Sequence, residues 1–581
     1  MNAFFQRHES RLRHALAIVA GLLLAAAFPK LGIAGLAWIA PGLLLFSAVG
    51  QSGKMAFRLG WLGGFAFHLA ALHWLLFIPV KGFPILGWLT LSAYAALYPA
   101  LWVWLCWRLA PVPAACSRRP EQAEAAEAAI ANRRHEPLMA TSFWQRATWA
   151  LKCAVLWVAL ETILGCFLTG FPWLALGVSQ QKLLLLIQIA SVTGVAGISF
   201  LLVWFSVALA GDVLGVARDR SGLWRFRLTC VLSLFVAAVV AGWGVAKFIR
   251  SFGKDELTHY RELTLALIQP SIPQTMIWNP AEKTNRFAKL MQLSELALAT
   301  KPDVLVWPEA ALPDMSEENF RAVTNLVAAH KVFMVFGADD SELKRGAAPD
   351  SNRSADYNFY NSAFLLSPEG KVVSTYRKRR LVLFGEYIPL LDWLPFLKWF
   401  TPIEGGFTAG QEPVAFSVGP LPVVSRAVDG LKRADPTRLR AGMLICFEDA
   451  IASAARESAT DADFLLNLTN DGWFGESSQQ FQHAAHSVFR AVENGLPVIR
   501  CTNNGLTCYV DAAGFVHDLG VGDAEIYGPG FRVVKLAVPA RGVRQPTFYQ
   551  RHGDWFGWGC VFVALGLALI GRRRQQFPSC S

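Results

Sequence analysis

The sequence predicts a polytopic α-helical membrane bundle joined to an α/β sandwich domain, and three observations point there. Apolar residues make up 54% of the 581 residues, with 21 Trp and a positive mean hydropathy, which is too greasy and too long for one soluble domain. Apolar stretches near 15–28, 31–49, 57–79, 83–107, 147–169, 183–211, 228–248 and 554–571 approach or reach the length that crosses a hydrocarbon core about 30 Å thick. From about residue 260 the periodicity changes, and short β-rich runs alternate with amphipathic helical stretches.

In chain order, seven of the stretches fall in 1–248 and define a transmembrane bundle. The first ends in Ala-Ala-Ala-Phe after Arg11 and Arg13, so a cleaved signal peptide is its alternative. Pro29-Lys30-Leu31-Gly32 reads as a tight turn into the second stretch and favours an uncleaved span. The Ala, Glu and Arg-rich insert at 109–146 has no apolar face wide enough for a core and reads as a cytoplasmic linker, with a partner-binding helix as the alternative. The net charge of +11 is not gathered on one domain, which argues against a nucleic-acid partner. Arg7, Arg11, Arg13, Lys54, Arg58, Arg118, Arg119, Arg133, Arg134, Arg218, Arg220, Arg225, Arg227 and Arg572–Arg574 instead mark alternate loops, which are expected to be cytoplasmic. By parity 249–545 lies on the outer side, 554–571 recrosses and 572–581 is a cytoplasmic tail.

Within the outer segment, Leu263–Ile268 reads as a buried strand, and Asn279-Pro280 starts a helix running to about Thr300. Strands follow at Val304–Trp307 and Val332–Gly337 around a helix near 316–329, then a hairpin of Ser362–Leu366 and Val372–Tyr376. Further strands at Gly442–Cys446, Phe464–Leu468, Val498–Cys501 and Thr507–Val510, with a helix near 479–495, complete an α/β sandwich whose sheet-end loops hold a site. The ten cysteines show neither metal spacing nor a disulfide framework. Cys501 and Cys508 read as buried free thiols, with a bridge between them as the alternative.

Cys446 ends an apolar run, Ala-Gly-Met-Leu-Ile-Cys, and leads into Phe-Glu-Asp, which places a thiol at a strand end beside acidic residues. A thiol is an effective nucleophile only as thiolate, and an unperturbed pKa of about 8.5 requires a helper base or cation. Glu309 closes Asp-Val-Leu-Val-Trp-Pro-Glu, and Lys378 closes Lys-Val-Val-Ser-Thr-Tyr-Arg-Lys. These residues lie far apart in sequence and can meet only in space. Taken singly each has a plainer reading: a buried core thiol, a carboxylate capping a turn, a lysine in the solvated run Arg377–Arg380. If the strand continued through that run, Lys378 and Arg380 would share one face. His483 and His486 share a helix face, but no third ligand is evident, and no metal is expected.

Trp307-Pro308-Glu309, Tyr376-Arg377-Lys378 and Cys446-Phe447-Glu448 resemble the Glu-Lys-Cys centre of the nitrilase superfamily of carbon–nitrogen hydrolases over roughly 260–540. With the membrane stretches, and with Thr169-Gly-Phe-Pro-Trp-Leu174, Phe384-Gly385-Glu386, Asn470-Asp-Gly-Trp-Phe-Gly475 and Thr502-Asn-Asn-Gly505, the whole chain is similar to the apolipoprotein N-acyltransferase family. The resemblance implies a nitrilase-like αββα sandwich with Glu309 as general base, Lys378 at the oxyanion and Cys446 acylated as a thioester. It implies a phospholipid acyl donor, the α-amine of a diacylglyceryl-cysteine apolipoprotein as acceptor, no cofactor, a bacterial inner-membrane location with a periplasmic catalytic domain, and a monomer.

Glu386 and Glu448 are expected to orient Lys378 or the thiol, with surface carboxylates as the alternative. Trp278, Trp473 and Phe474 are expected at the lipid entrance, with core packing as the alternative. Phe447 stands where the family often has Tyr, and Leu383 where Pro is common before Phe-Gly-Glu. The competing functions are a membrane-tethered nitrilase-type amidase that passes the acyl group to water, and a non-catalytic scaffold or transporter. Many spans favour a lipid substrate over the first, and few ionisable residues inside them argue against the second, although Glu161 and His68 need a reason to be there.

Overall fold

Long apolar helices and a β-rich sandwich separate in the computed structural model as the change of periodicity predicts. The structure describes residues 2–79, 83–111, 143–218, 228–252, 260–277, 279–312, 315–346, 348, 356–391, 393–396, 406–419, 438–518, 526–539 and 544–576. Trp278 and residues 112–142 of the expected insert lie outside the described residues. One unit comprises Met1–Leu76, Ile85–Ile249 and Asp554–Ser581; the other comprises Phe77–Pro84 and Arg250–Gly553.

In the helical unit four runs among the described residues are long and apolar enough to cross a membrane: Pro84–Arg108, Phe143–Leu164, Val195–Val213 and Thr229–Lys247. The stretch 31–49 does not form one helix. A 3-10 turn over Ala34–Trp38 precedes the helix Ala40–Ser47, which carries Pro41 in its first turn, where no intrahelical N–H is needed. The helices Asn2–Ala26 and Gly53–Ala71 meet where a Cβ on Gly21 would lie 2.1 Å from the Gly63 carbonyl oxygen, so only glycine permits that approach. Two indoles tie Leu97–Arg108 to Phe143–Leu164: Trp102 donates to the Cys153 carbonyl at 2.8 Å, and Trp149 to the Cys106 carbonyl at 3.1 Å. Glu161 accepts from the Leu176 backbone N–H at 2.6 Å and from the Trp157 indole at 3.2 Å, while His68 Nδ1 meets the Gly64 carbonyl at 2.7 Å. Glu161 thus satisfies a backbone N–H outside any helix ladder, and His68 pairs its own ring nitrogen with a carbonyl of its helix.

The other unit is a sandwich of two six-stranded sheets. The first holds β1 (Tyr260–Gln269), β2 (Val304–Val306), β3 (Phe333–Leu343), β4 (Tyr357–Leu366), β5 (Val372–Arg377) and β12 (Gly530–Pro539), in the order β12-β1-β2-β3-β4-β5. The second holds β6 (Ala415–Val418), β7 (Leu439–Ile445), β8 (Phe464–Thr469), β9 (Val498–Thr502), β10 (Cys508–Val510) and β11 (Val516–Asp518), in the order β11-β10-β9-β8-β7-β6. Each sheet centres on three parallel strands, β1-β2-β3 and β7-β8-β9, flanked by antiparallel ones. Leu265, Val306, Val335 and Tyr376 of one sheet and Met443, Ile445, Leu466 and Ile499 of the other form the core between them. On the opposite face of the first sheet, Ala266, Leu305, Met334 and Phe336 join Leu290, Leu298, Val323 and Val327 from the helices Lys283–Leu298 and Glu317–His330. Period-two alternation explains this division, because neighbouring strand residues face opposite sides. The expected cap is present, Asn279 accepting from the Ala281 N–H at 3.1 Å, and Ser316 caps the next helix by accepting from the Asn319 N–H at 3.4 Å.

Candidate active site

The carboxyl ends of the parallel strands β2 and β7 carry Glu309 and Cys446, as open α/β sheets generally arrange them, and Lys378 follows the antiparallel edge strand β5. β2 ends one residue before Trp307, whose indole donates to Ser294 at 2.8 Å and pins the strand exit. Pro308 and Glu309 follow. Gly337 of β3 lies directly beneath them, where an added Cβ would be 2.7 Å from the Glu309 Cα and 2.6 Å from the Pro308 carbonyl oxygen. No larger residue fits without moving the glutamate. Glu309 is buried; its Oε1 accepts from Asn361 Nδ2 at 2.7 Å and Lys378 Nζ at 3.3 Å, and its Oε2 from the Asn470 backbone N–H at 2.9 Å.

β5 stops at Arg377, and Lys378 turns inward. The ammonium is buried and donates to Glu386 Oε1 at 2.7 Å, closer than Glu309. The alternation across Arg377–Arg380 therefore does not hold: Lys378 and Arg379 are buried and Arg380 is exposed, because the strand ends before the run does. Burial opposes a charge on Lys378, yet Glu386 and Glu309 outweigh it and hold the ammonium well above the ordinary lysine range.

β7 delivers Cys446, which begins a 3-10 turn, Cys446–Asp449, at φ 53°. This left-handed conformation is unusual for a side-chain-bearing residue and is held from several directions. The Cys446 carbonyl oxygen accepts from Asn467 Nδ2 at 3.1 Å and lies 3.2 Å from His483 Nε2. Below it is a buried charge quartet. His483 Nδ1 meets Asp471 at 2.7 Å and Nε2 lies 2.8 Å from Asp449, while Arg500 pairs with Asp449 and reaches Asp471 at 3.4 Å. Burial opposes protonation of His483, but Asp449 and Asp471 push it up to about 9, so the ring is an imidazolium at neutral pH. Burial, then Glu309, push the Cys446 thiol well above the usual range against the pull of Lys378. At rest the sulfur keeps its proton.

Glu386 accepts from the Val382 N–H at 2.8 Å and from Asn361 at 3.1 Å besides binding Lys378. Glu448 is fully buried and accepts from the Tyr376 hydroxyl at 2.7 Å and from the backbone N–H groups of Arg379, Arg380 and Ile445 at 2.8, 3.0 and 2.8 Å. It ties the chain beside Lys378 to the chain beside Cys446, so neither acid is a surface carboxylate. Phe447 is half-buried beside the thiol, and Trp473 and Phe474 are half-buried in the turn Asp471–Phe474. Cys501 and Cys508 are buried thiols with no disulfide between them, and Cys501 Sγ donates to the Ile268 carbonyl at 3.4 Å. Asn361 and the quartet around His483 had no place among the expected site residues. In the sequence only the Asn470-Asp471 motif and the His483/His486 spacing point toward them.

Residues 264–539 match the family model described as carbon–nitrogen hydrolase, and residues 20–208 match that of the apolipoprotein N-acyltransferase N-terminal domain. The apolipoprotein N-acyltransferase of Geobacter metallireducens is 32% identical over 578 residues, covering 97% of this chain and 96% of that protein. That of Vibrio vulnificus is 29% identical over 597 residues, covering 99% of each. That of Brucella melitensis is 32% identical over 416 residues, covering 70% of each.

Proposed function

The chain belongs to the apolipoprotein N-acyltransferase family, and on that premise we propose that Cys446 carries an acyl group from a membrane phospholipid to the N-terminal amine of a diacylglyceryl-cysteine apolipoprotein. The observation that carries this reading is the buried ammonium of Lys378, shared between Glu309 at 3.3 Å and Glu386 at 2.7 Å in the electrostatic field of the Cys446 thiol. Because the thiol is protonated at rest, attack on the phospholipid ester requires a base. Glu309 takes the Sγ proton as the C–S bond forms, and Lys378 stabilises the negative charge that moves onto the ester oxygen. Collapse breaks the C–O bond, and the proton held by Glu309 goes to the departing lysophospholipid oxygen. In the second half, the neutral acceptor amine attacks the thioester carbonyl, Glu309 takes its proton, and the sulfur leaves and is reprotonated. The two halves make the kinetics ping-pong.

Glu386 fixes the Lys378 head, and Glu448 fixes the main chain on which Lys378 and Cys446 are mounted. Trp473 and Phe474 fall to the lipid entrance in this reading. We place 1–248 as a seven-span bundle, 249–545 as a periplasmic catalytic domain, 554–571 as a final span and 572–581 as a tail, in a monomer of the bacterial inner membrane. The distribution of basic loop residues supports that orientation. Acyl transfer from phospholipid to a diacylglyceryl-cysteine peptide tests the assignment. Cys446→Ala should abolish transfer, and Glu309→Gln should slow the acylation step by about 10²–10⁴-fold. Transfer that persists in Cys446→Ala would place the acyl carrier elsewhere.

A further inference from the structure

Beyond the triad, β3 brings one more carboxylate to the site. Phe333 and Val335 face the core between the sheets, and Gly337 continues that face against Glu309. Asp339 is the next residue in the same alternation, and it pairs across the strands with Asn361, whose amide nitrogen bridges Glu309 and Glu386. Directly opposed residues of an antiparallel pair project to the same face, so Asp339 points to the site side of the sheet. Unlike Glu309 and Lys378 it is exposed, which puts it at the mouth rather than the floor. Among the described residues Asp339 makes no hydrogen bond or ion pair.

A second observation concerns Asn361. Two carboxylates must face its N–H groups, so its Oδ1 points elsewhere. That oxygen is buried and finds no donor among the described residues, although the residue is only 5% exposed. A buried acceptor left unsatisfied is costly, and next to it stands a carboxylate without a cation. The protein crowding its carboxyl, followed by Glu309 and Glu386, pushes Asp339 up to about 6, so it still carries its charge at pH 7. With the thiol protonated, Glu309, Glu386 and Asp339 face the single ammonium of Lys378. The mouth is therefore set for a cation with N–H donors.

Resting on the acyl-transfer reading above, we infer that Asp339, beside the free Oδ1 of Asn361, binds the α-ammonium of the lipoprotein acceptor before the second half-reaction. An α-amine has a pKa of about 7.7–8.0 and arrives mostly protonated at neutral pH. Asp339 accepts N–H hydrogen bonds from it and brings it to the thioester. There the ammonium first gives up one proton, through Asp339 to water, which frees the nitrogen lone pair; as that pair forms the C–N bond, Glu309 takes a second N–H proton and passes it to the sulfur, which leaves with the C–S bond electrons as a thiol. A primary ammonium also occurs on an ethanolamine headgroup, but that group departs with the lysophospholipid before the acceptor acts.

The test uses the full-length protein and reads the two halves separately. Asp339→Asn should raise the KM for a diacylglyceryl-cysteine peptide at least tenfold relative to its effect on acylation by phospholipid, and Asp339→Glu should restore most of the loss. Discharge of the thioester by hydroxylamine, neutral at pH 7, should change far less than discharge by the peptide. Acylation is measured with phosphatidylethanolamine and with phosphatidylglycerol. A loss confined to phosphatidylethanolamine would show that the carboxylate reads the donor headgroup and would overturn the acceptor assignment. Equal losses in acylation, peptide discharge and hydroxylamine discharge would overturn it too, since Asp339 would then act through the triad. An unchanged peptide KM has the same consequence. A wild-type protein that forms no adduct at Cys446 would instead remove the acyl-transfer reading itself, and this inference with it.

Discussion

Cys446 stands at φ 53° with its carbonyl oxygen held by Asn467 and His483, and in the proposed reaction its protonated sulfur carries no charge until Glu309 takes the proton. Lys378 serves both sides of this balance. It neutralises the buried carboxylates of Glu309 and Glu386 and, in the proposed reaction, stabilises the oxyanion. Lys378→Ala should therefore cost more than catalysis: beyond a fall of about 10²–10³ in acylation, the variant should lose roughly 3–5 kcal/mol of stability from the unpaired acids. Thermal unfolding compared with Glu309→Gln, which removes a charge from the cluster instead of its counter-ion, checks this. An equal melting temperature in the two would contradict the account. The three strand-end residues were legible in the sequence because each closes a short strand-like run of its own. Asn361 was not, since its importance comes from meeting Glu309 and Glu386 in space, and a lone Asn inside a strand carries no local mark.

Elements convert these residues into a rigid frame, and the helix Gln479–Asn494 does so through charge. Its His483 is buried between Asp449 and Asp471, with the folded ring pushed to about 9 from 6.5. A raised pKa adds stability that is complete below about 6.5 and lost as pH rises through about 9. Asp449, held well below the usual carboxylate range by His483 and Arg500 against the cost of burial, acts at the other end; its contribution is lost only in strong acid. The melting temperature should thus decline between about pH 7 and 9, by a free energy on the order of 2–3 kcal/mol, and His483→Gln should flatten that slope. A slope that survives the substitution would assign it to another group. Periodicity made most strands of the sandwich legible, but not β6, β11 and β12, nor the element ends. β3 runs on past Gly337 to Leu343, paired residue for residue with β4, because a two-stranded ribbon leaving the core needs no apolar alternation. β12, which pairs with β1 from the far end of the chain, was missed because its partner is some 270 residues away in sequence.

At the scale of the whole molecule, the composition changes from helical to β-rich along the chain, and Phe77–Pro84, between two apolar stretches, groups with the sandwich unit. Hydropathy could not foresee this, since an apolar stretch between helices reads the same whether it packs against helices or sheets. The eight-span topology predicts opposite compartment signals from reporters fused at the C-terminus and within 420–440; the same signal from both would contradict it. The central claim is that the acyl group rests on one sulfur and leaves on an amine. The intact mass of wild-type protein incubated with phospholipid alone tests it most directly. The account predicts a gain of one acyl group, located at Cys446, labile to hydroxylamine and discharged by a diacylglyceryl-cysteine peptide. An adduct on another residue, or one that decays as fast without the peptide as with it, would contradict the account.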